Sequence, residues 1–439
     1  MNLSLYLHNV ASGRVAIDTV SLRELAADGS YASGELLRNP RADHHRYVDE
    51  KGAAAIDRLL AAAEAQGVAL QLVVQDKNDG IPNRLTRHGY FARRGDGYYQ
   101  GEGTRWRWLA RQWWRYLAAR YGASTAVFAF ELNNEGSPDD PAHWRAAQDF
   151  ARFFAEQAHP HLASTSFWCC WRPQFWGDHQ NYPDLGYADL HEYTSDGELG
   201  SEREALESDF AALHLFRVQK VRQSPVGRPV IRAESGLEPG TPNFALLAGT
   251  PNPGFWFHEL LWAQLDGSGV FDTGYWWQEH FAAIDRHYFG EDQGGRARVA
   301  LAAPYAAFVA SLGREGGGFV DLEPAVTGSL RVIGQRHPGR HEAHAWVQNP
   351  RSTWKRWMLE PGAVTPASGT IRIALGAPGR YRIERWDTWQ GGIAAIEDRD
   401  SDPSGRVEIA VSGLLRDLAL RVRRLGPAGT IFADGFESL

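Results

Sequence analysis

TAVFAFELNNEG, residues 125–136, is the stretch on which the fold turns. It is an apolar run of strand length that finishes on Glu131, Asn133, Asn134 and Glu135. A strand that buries its aromatics has little reason to end on acids unless that end opens onto a site. Residues 131, 133 and 135 share one face, and Glu131 lies roughly 13 Å below Glu135 at about 3.3 Å per residue. Glu131 is therefore expected in the interior, paired with a buried base such as Arg232, with Glu135 at the rim. Asn134 points away from Glu135 in an ideal strand, so both reach the rim only if a bulge or turn re-aims one.

Working outward, apolar runs at 3–9, 68–76, 164–171, 188–193, 229–235 and 270–277 read as further strands. Segments with helical spacing lie between them at 50–67, 104–122, 141–158 and 201–223, then around 255–267 and at 298–313. Strands alternating with helices give a parallel α/β domain, either an open sheet or a (β/α)8 TIM-type barrel. The length suits the barrel, and residues 1–316 are assigned to it. Its first strand is not evident, so either it lies in a region upstream or the barrel closes differently. After GREGGGF (313–319) the pattern becomes short alternating segments separated by Gly, Pro and Asp, among them WKRWMLEP. Residues 317–425 are therefore expected to form a small antiparallel β-sandwich, and 426–439 a tail.

Charged residues make up 23% of the 439, with a formal net charge of −7 and no long Lys/Arg run. That argues against nucleic acid or an anionic membrane as partner. Seventeen Trp serve either as core or as flat platforms for sugars or bases, and the acidic balance favours sugars. The two cysteines, Cys169 and Cys170, are adjacent, so no disulfide framework or zinc spacing arises. Two buried thiols are expected rather than a bridge between neighbours. DHH (43–45) and HEAH (341–344) invite a metal reading, but His341 and His344 fit surface positions on an alternating strand better. No metal or cofactor is expected.

Two strands end in glutamate followed by a turn: ELNNEG at Glu135 and IRAESG at Glu234. In a barrel such ends meet at one face. A pair of carboxyls there suits hydrolysis of a sugar acetal, one protonating the leaving oxygen and the other attacking or activating water.

ELNNEG, HEY (191–193), IRAESG and YWW (275–277), in that order, resemble the motifs of the large clan of retaining (β/α)8 glycoside hydrolases that includes cellulases and β-mannanases. The resemblance implies a retaining β-glycoside hydrolase acting on β-linked oligo- or polysaccharide. Glu135 is then acid/base, kept protonated by burial and by the charge of Glu234, and Glu234 is the nucleophile. Asn134 corresponds to the residue holding the sugar 2-hydroxyl, Tyr193 to the partner of the nucleophile, and His191 to a site residue. Trp276 or Trp277 corresponds to the sugar platform. The Arg and His that the clan places after its second and third strands are not matched; LHNVASG and VVQDKND stand there, with His8, Asn9, Asp76 and Lys77. The aromatic stretch 168–182 is either a set of further subsites or a packed loop. A noncatalytic carbohydrate-binding barrel is the alternative reading. The ending IFADGFESL resembles the ends of exported bacterial proteins, which implies an extracellular or periplasmic home. Sugar identity, endo or exo mode and oligomeric state are left open by the sequence.

Overall fold

The structure is a computed structural model that describes residues 26–28, 30, 50–75, 103–157, 161–194, 197, 199–238, 240–249, 254–266, 270–272, 294–313 and 317–427. The strand expected at 3–9, the rim residues His8, Asn9, Asp76 and Lys77, and the platform pair Trp276 and Trp277 lie outside them, as does nearly all of the tail.

The first part alternates helix and strand. Helix α1 (Glu50–Gln66) precedes β1 (Leu70–Val73), and α2 (Arg105–Tyr121) precedes β2 (Val127–Glu131). Next come α3 (Pro141–Glu156), β3 (Leu162–Ser164), β4 (Ser166–Phe167), α4 (Pro173–Trp176) and β5 (Ala188–Tyr193). The helix starts are written locally. Thr104 accepts from the Arg107 amide, and Asp140 accepts from the Ala142 amide with Pro141 at the first helical position. Helix α3 buries Ala146, Ala147, Phe150, Phe153 and Phe154 at helical spacing, and Phe154 stacks on Phe130 of β2 at 4.3 Å.

Helices α5 (Arg203–Glu207) and α6 (Phe210–Gln223) lead to β6 (Val230–Gly236); α7 (Pro242–Gly249) and α8 (Phe255–Trp262) lead to β7 (Val270–Asp272), and α9 (Gly294–Ser311) follows. Every described strand pair here is parallel, and neighbours follow chain order: β1-β2-β3, then β4-β5-β6-β7. The single strand expected at 164–171 is two short ones, because the backbone changes partner at Thr165. Before it the chain pairs with β2, and after it with β5. A lone parallel bridge from Gly136 to Phe167 carries the succession across that break.

The remainder is antiparallel. Strands β8 (Val320–Asp321), β9 (Ala325–Gly328), β10 (Arg331–His337) and β11 (Glu342–Gln348) come first. Helix α10 (Trp354–Leu359) then leads to β12 (Ala367–Ala374), β13 (Arg380–Trp386), β14 (Ile393–Asp400), β15 (Arg406–Leu414) and β16 (Asp417–Gly426). One sheet runs β14-β13-β16-β11-β10-β8 and the other β15-β12-β9. Ile371, Ile373, Val407 and Ile409 from the smaller share a core with Tyr381, Ile383, Leu420 and Val422 from the larger.

WKRWMLEP is not a strand. Thr353 caps it by accepting from the Arg356 amide, and Trp354, Trp357 and Met358 fall on one helical face. Trp354 is fully buried among Leu206, Phe210 and Trp256, and its indole N–H donates to the Glu207 carbonyl at 2.9 Å. His341 and His344 also depart from expectation. His341 precedes its strand in a left-handed turn (φ 52°), and His344 is buried.

Buried Asp417 joins the two parts: His258 of α8 faces its carboxylate at 2.9 Å, and Trp346 donates to it at 3.1 Å. Among the described residues no helix is long and apolar enough to cross a membrane.

Candidate active site

Beyond β2 the backbone keeps bonding upward: the Leu132 amide donates to Ser164 O (2.9 Å), Asn134 to Gln75 O (2.7 Å) and Gly136 to Ser166 O (3.0 Å). At Glu135 the chain turns left-handed, with φ 59°. A non-glycine residue adopts that conformation at a cost of about 1 kcal/mol or more, so the surroundings must hold it. Ser166 does so, its hydroxyl accepting from the Glu135 amide at 2.8 Å. This turn is the feature that can re-aim Glu135 relative to Asn134.

The next residue has to be glycine for a different reason. A Cβ on Gly136 would sit 1.7 Å from Cε1 of His143. His143 is fully buried on α3; its Nδ1 donates to the Ser137 carbonyl (3.0 Å) and its Nε2 faces the Thr165 hydroxyl (2.9 Å). Burial pushes its pKa down to about 4, so it is a neutral prop under the turn.

Glu234 reaches the same place through a slip in register. Leu190 of β5 aligns with Arg232, yet His191 aligns with Glu234, so Ala233 is skipped. The bulge reverses the alternation within β6. Arg232 therefore faces Glu192, bonded at 2.5 Å and flanked by Arg217 and Lys220. Glu234 faces His191 and Tyr193 instead. Burial opposes the charge on Glu192, but Arg232, Arg217 and Lys220 hold its pKa at about 2. This corrects the expected Glu131–Arg232 pair. Glu131 is buried as expected, but its partner is the Gln71 amide, at 2.8 Å.

At the rim, the Tyr193 hydroxyl donates to Glu234 Oε2 at 2.9 Å. His191 Nδ1 lies 3.3 Å from Glu135 Oε1 and 3.5 Å from Glu234 Oε1. His191 is 1% exposed, whereas the two glutamates keep 15% and 12%, enough to meet a ligand. Burial alone would lower the His191 pKa. The bond to Glu135 and the charges of Glu234, Asp189 and Glu131 outweigh it and raise the value to about 9. The structure thus gathers Glu135, Glu234, His191 and Tyr193 into one cluster, with half-buried Asn134 adjoining it in the chain.

Donor atoms of Glu135, His191 and Glu234 lie within 4.8 Å of one another, the one such trio among the described residues. A metal there would have to displace the proton that the neighbouring carboxylates favour on the imidazole.

Several residues escaped sequence reasoning. Ser166, His143, Gln71 and Asp189 act through strand neighbours, and only Asp189, two positions before His191 on one strand face, left a signal. The loop after β4 is mostly packing: Phe175 and Trp176 are fully buried and Trp171 nearly so, while Trp168 is exposed. Cys169 and Cys170 are not thiols but a disulfide. Cys170 is left-handed (φ 74°) with its Cα 3.7 Å from that of Cys169, and both residues are half-buried.

No family model matches the sequence. No curated protein matches it either. Solved structures do. A family 5 glycoside hydrolase from Bacteroides vulgatus ATCC 8482 aligns with a TM-score of 0.51 at 14% identity, covering 92% of this chain and 81% of that one. The fold resembles that of a family 5 glycoside hydrolase. A second glycoside hydrolase (TM-score 0.46, 13% identity, 92% and 83% coverage) is also similar. So is an endo-beta-1,4-mannanase from Thermotoga petrophila (0.39, 11%, 82% and 76%).

Proposed function

We propose that this chain is a retaining β-glycoside hydrolase, with Glu135 as acid/base and Glu234 as nucleophile, acting on β-linked oligo- or polysaccharide. The observation that carries the reading is the closeness of the two carboxyls, with oxygens within 4.8 Å of each other. Retaining enzymes hold their carboxyls about 5–5.5 Å apart, whereas inverting ones leave about 6.5–9.5 Å for a water. The parallel strands in chain order are read as part of a (β/α)8 barrel, with Trp276 or Trp277 as platform and Asn134 on the sugar 2-hydroxyl. The antiparallel part is read as a small β-sandwich. The Cys169–Cys170 disulfide supports an extracellular or periplasmic place of action.

In this reading Tyr193 keeps Glu234 oriented for attack on the anomeric carbon while Glu135 protonates the departing oxygen. The charge of Glu234 favours a proton on Glu135 before attack, against the pull of the charged His191 beside it. Once Glu234 is esterified that charge is gone, and Glu135 then takes a proton from the incoming water. His191 Nδ1 sits between the two carboxyls and keeps them from drifting apart.

Intact-mass measurement with a panel of activated 2-deoxy-2-fluoro β-glycosides tests this. A sugar adduct mapped to Glu234 is expected, and Glu234→Gln should form none and lose turnover. An adduct on another residue, or wild-type rates in Glu234→Gln, overturns the assignment. Sugar binding without adduct or product points to the noncatalytic alternative.

A further inference from the structure

Beneath His191 lie two acids that the chemistry above does not use. Glu131 of β2 is 1% exposed and Asp189 of β5 is fully buried. One side-chain amide joins them: Gln71 Nε2 donates to Glu131 Oε2 at 2.8 Å and to Asp189 Oδ2 at 2.7 Å. Glu131 Oε1 also accepts from the Ser166 amide at 3.2 Å. Asp189 is also bonded by the Ala233 amide.

We propose that Glu131 and Asp189, tied together by Gln71, are positioning residues for His191: a buried two-carboxyl unit with one negative charge that keeps the imidazole charged and fixed between Glu135 and Glu234. The inference rests on the function proposed above and adds a residue set to that site.

The number of charges follows from solvation. Three amides do not replace the water lost by two carboxylates, and two like charges at this separation do not both ionise in a buried site. Each acid accepts from Gln71 and from one backbone amide, Ser166 for Glu131 and Ala233 for Asp189, so the two share one charge and one proton. Burial raises both acids above the usual carboxylate range, Asp189 further. Tyr187, raised by burial next to them, stays neutral.

The unit matters to His191 because of where it lies. Asp189 and His191 are two apart on β5 and share a face. His191 thus meets acids on every side: Glu131 from β2, Asp189 on its own strand, Glu135 after β2 and Glu234 on β6. The basic groups Arg232, Arg217 and Lys220 are taken up by Glu192 on the opposite face of β5. A purely apolar layer under the ring would fill space, but it would leave the imidazolium desolvated.

The test is an NMR titration of the His191 ring nitrogens in the full chain, assigned by comparison with His191→Gln. In wild type the midpoint is expected near 9. The double variant Glu131→Gln/Asp189→Asn keeps the shape and removes the charge, and should lower the midpoint by about one pH unit or more. Glu131→Gln alone, or Asp189→Asn alone, leaves the other acid to carry the charge and should move it by only a few tenths. An unmoved midpoint in the folded double variant overturns the proposal. If the double variant does not fold, Gln71→Met is titrated: loss of the bridge should also lower the midpoint, and no change again overturns the proposal. The titration needs no substrate. A lowered midpoint in a protein that turns over no glycoside sinks the function and upholds the charge unit; turnover with an unmoved midpoint does the reverse.

Discussion

Gly136→Ala introduces one methyl group where the structure has no room for it. The new Cβ would stand 1.7, 2.4 and 2.5 Å from Cε1, Nε2 and Nδ1 of His143, whereas carbon contacts sit at about 3.5–4.0 Å. The ring would have to retreat by about 2 Å. It cannot do so freely, since its nitrogens are bonded to Ser137 O and Thr165 Oγ1 and its edge lies against Phe167 at 5.5 Å. Overpacking costs about 1–3 kcal/mol, and each buried group left unpaired about 1–3 more, so a loss of about 3–5 kcal/mol is expected. That is a large part of a typical domain's stability. The same movement disturbs the turn that holds Glu135, so activity should fall further than the unfolded fraction explains. Urea unfolding followed by tryptophan fluorescence, together with turnover of an activated glycoside, measures both effects. The double variant Gly136→Ala/His143→Ala vacates the space and should recover part of the loss relative to additivity. A Gly136→Ala protein within about 0.5 kcal/mol of wild type, with unchanged kcat, would refute the packing account.

Stability should decline on both sides of neutrality because of two histidines with opposite signs. His191, at about 9 when folded, stabilises fully below the ordinary 6.5 and loses that contribution as pH rises to 9. His143, at about 4 when folded, stabilises fully above 6.5 and loses its contribution as pH falls towards 4. Each arm is worth about 3 kcal/mol as an order of magnitude. Urea midpoints measured between pH 4 and 9.5 should show both arms, and an acid arm unaltered in His143→Gln contradicts the assignment. Arg232→Met strands the buried Glu192 carboxylate and should cost about 3–5 kcal/mol. Calorimetry checks it, and a variant melting with wild type would mean that Arg217 and Lys220 suffice.

Much of the site could be read because its signals are local. Apolar runs with period two mark strands wherever they pack, and a glutamate at the end of such a run is conspicuous against it. Glu135, Glu234, His191 and Tyr193 were legible for that reason, and the structure gathers all four. The partner of Glu131 was not. Parity along an unbroken β6 places Arg232 and Glu234 on one face, and only the skip at Ala233 separates them. The helix at 354–359 was misread because short amphipathic segments look alike at either period, and burial of Trp354 against Phe210 decides between them.

By itself the sequence determined the alternation of strands and helices, the change to antiparallel segments after residue 316, and the acids at two strand ends. Those follow from side-chain chemistry and spacing within one segment. Tertiary structure alone decided the left-handed turn at Glu135, the split at Thr165, the disulfide at Cys169–Cys170 and the Gln71 bridge beneath His191. The backbone features depend on which amides and carbonyls a neighbouring strand presents, and the bridge on which side chains a third strand brings within reach. No single stretch of chain encodes either.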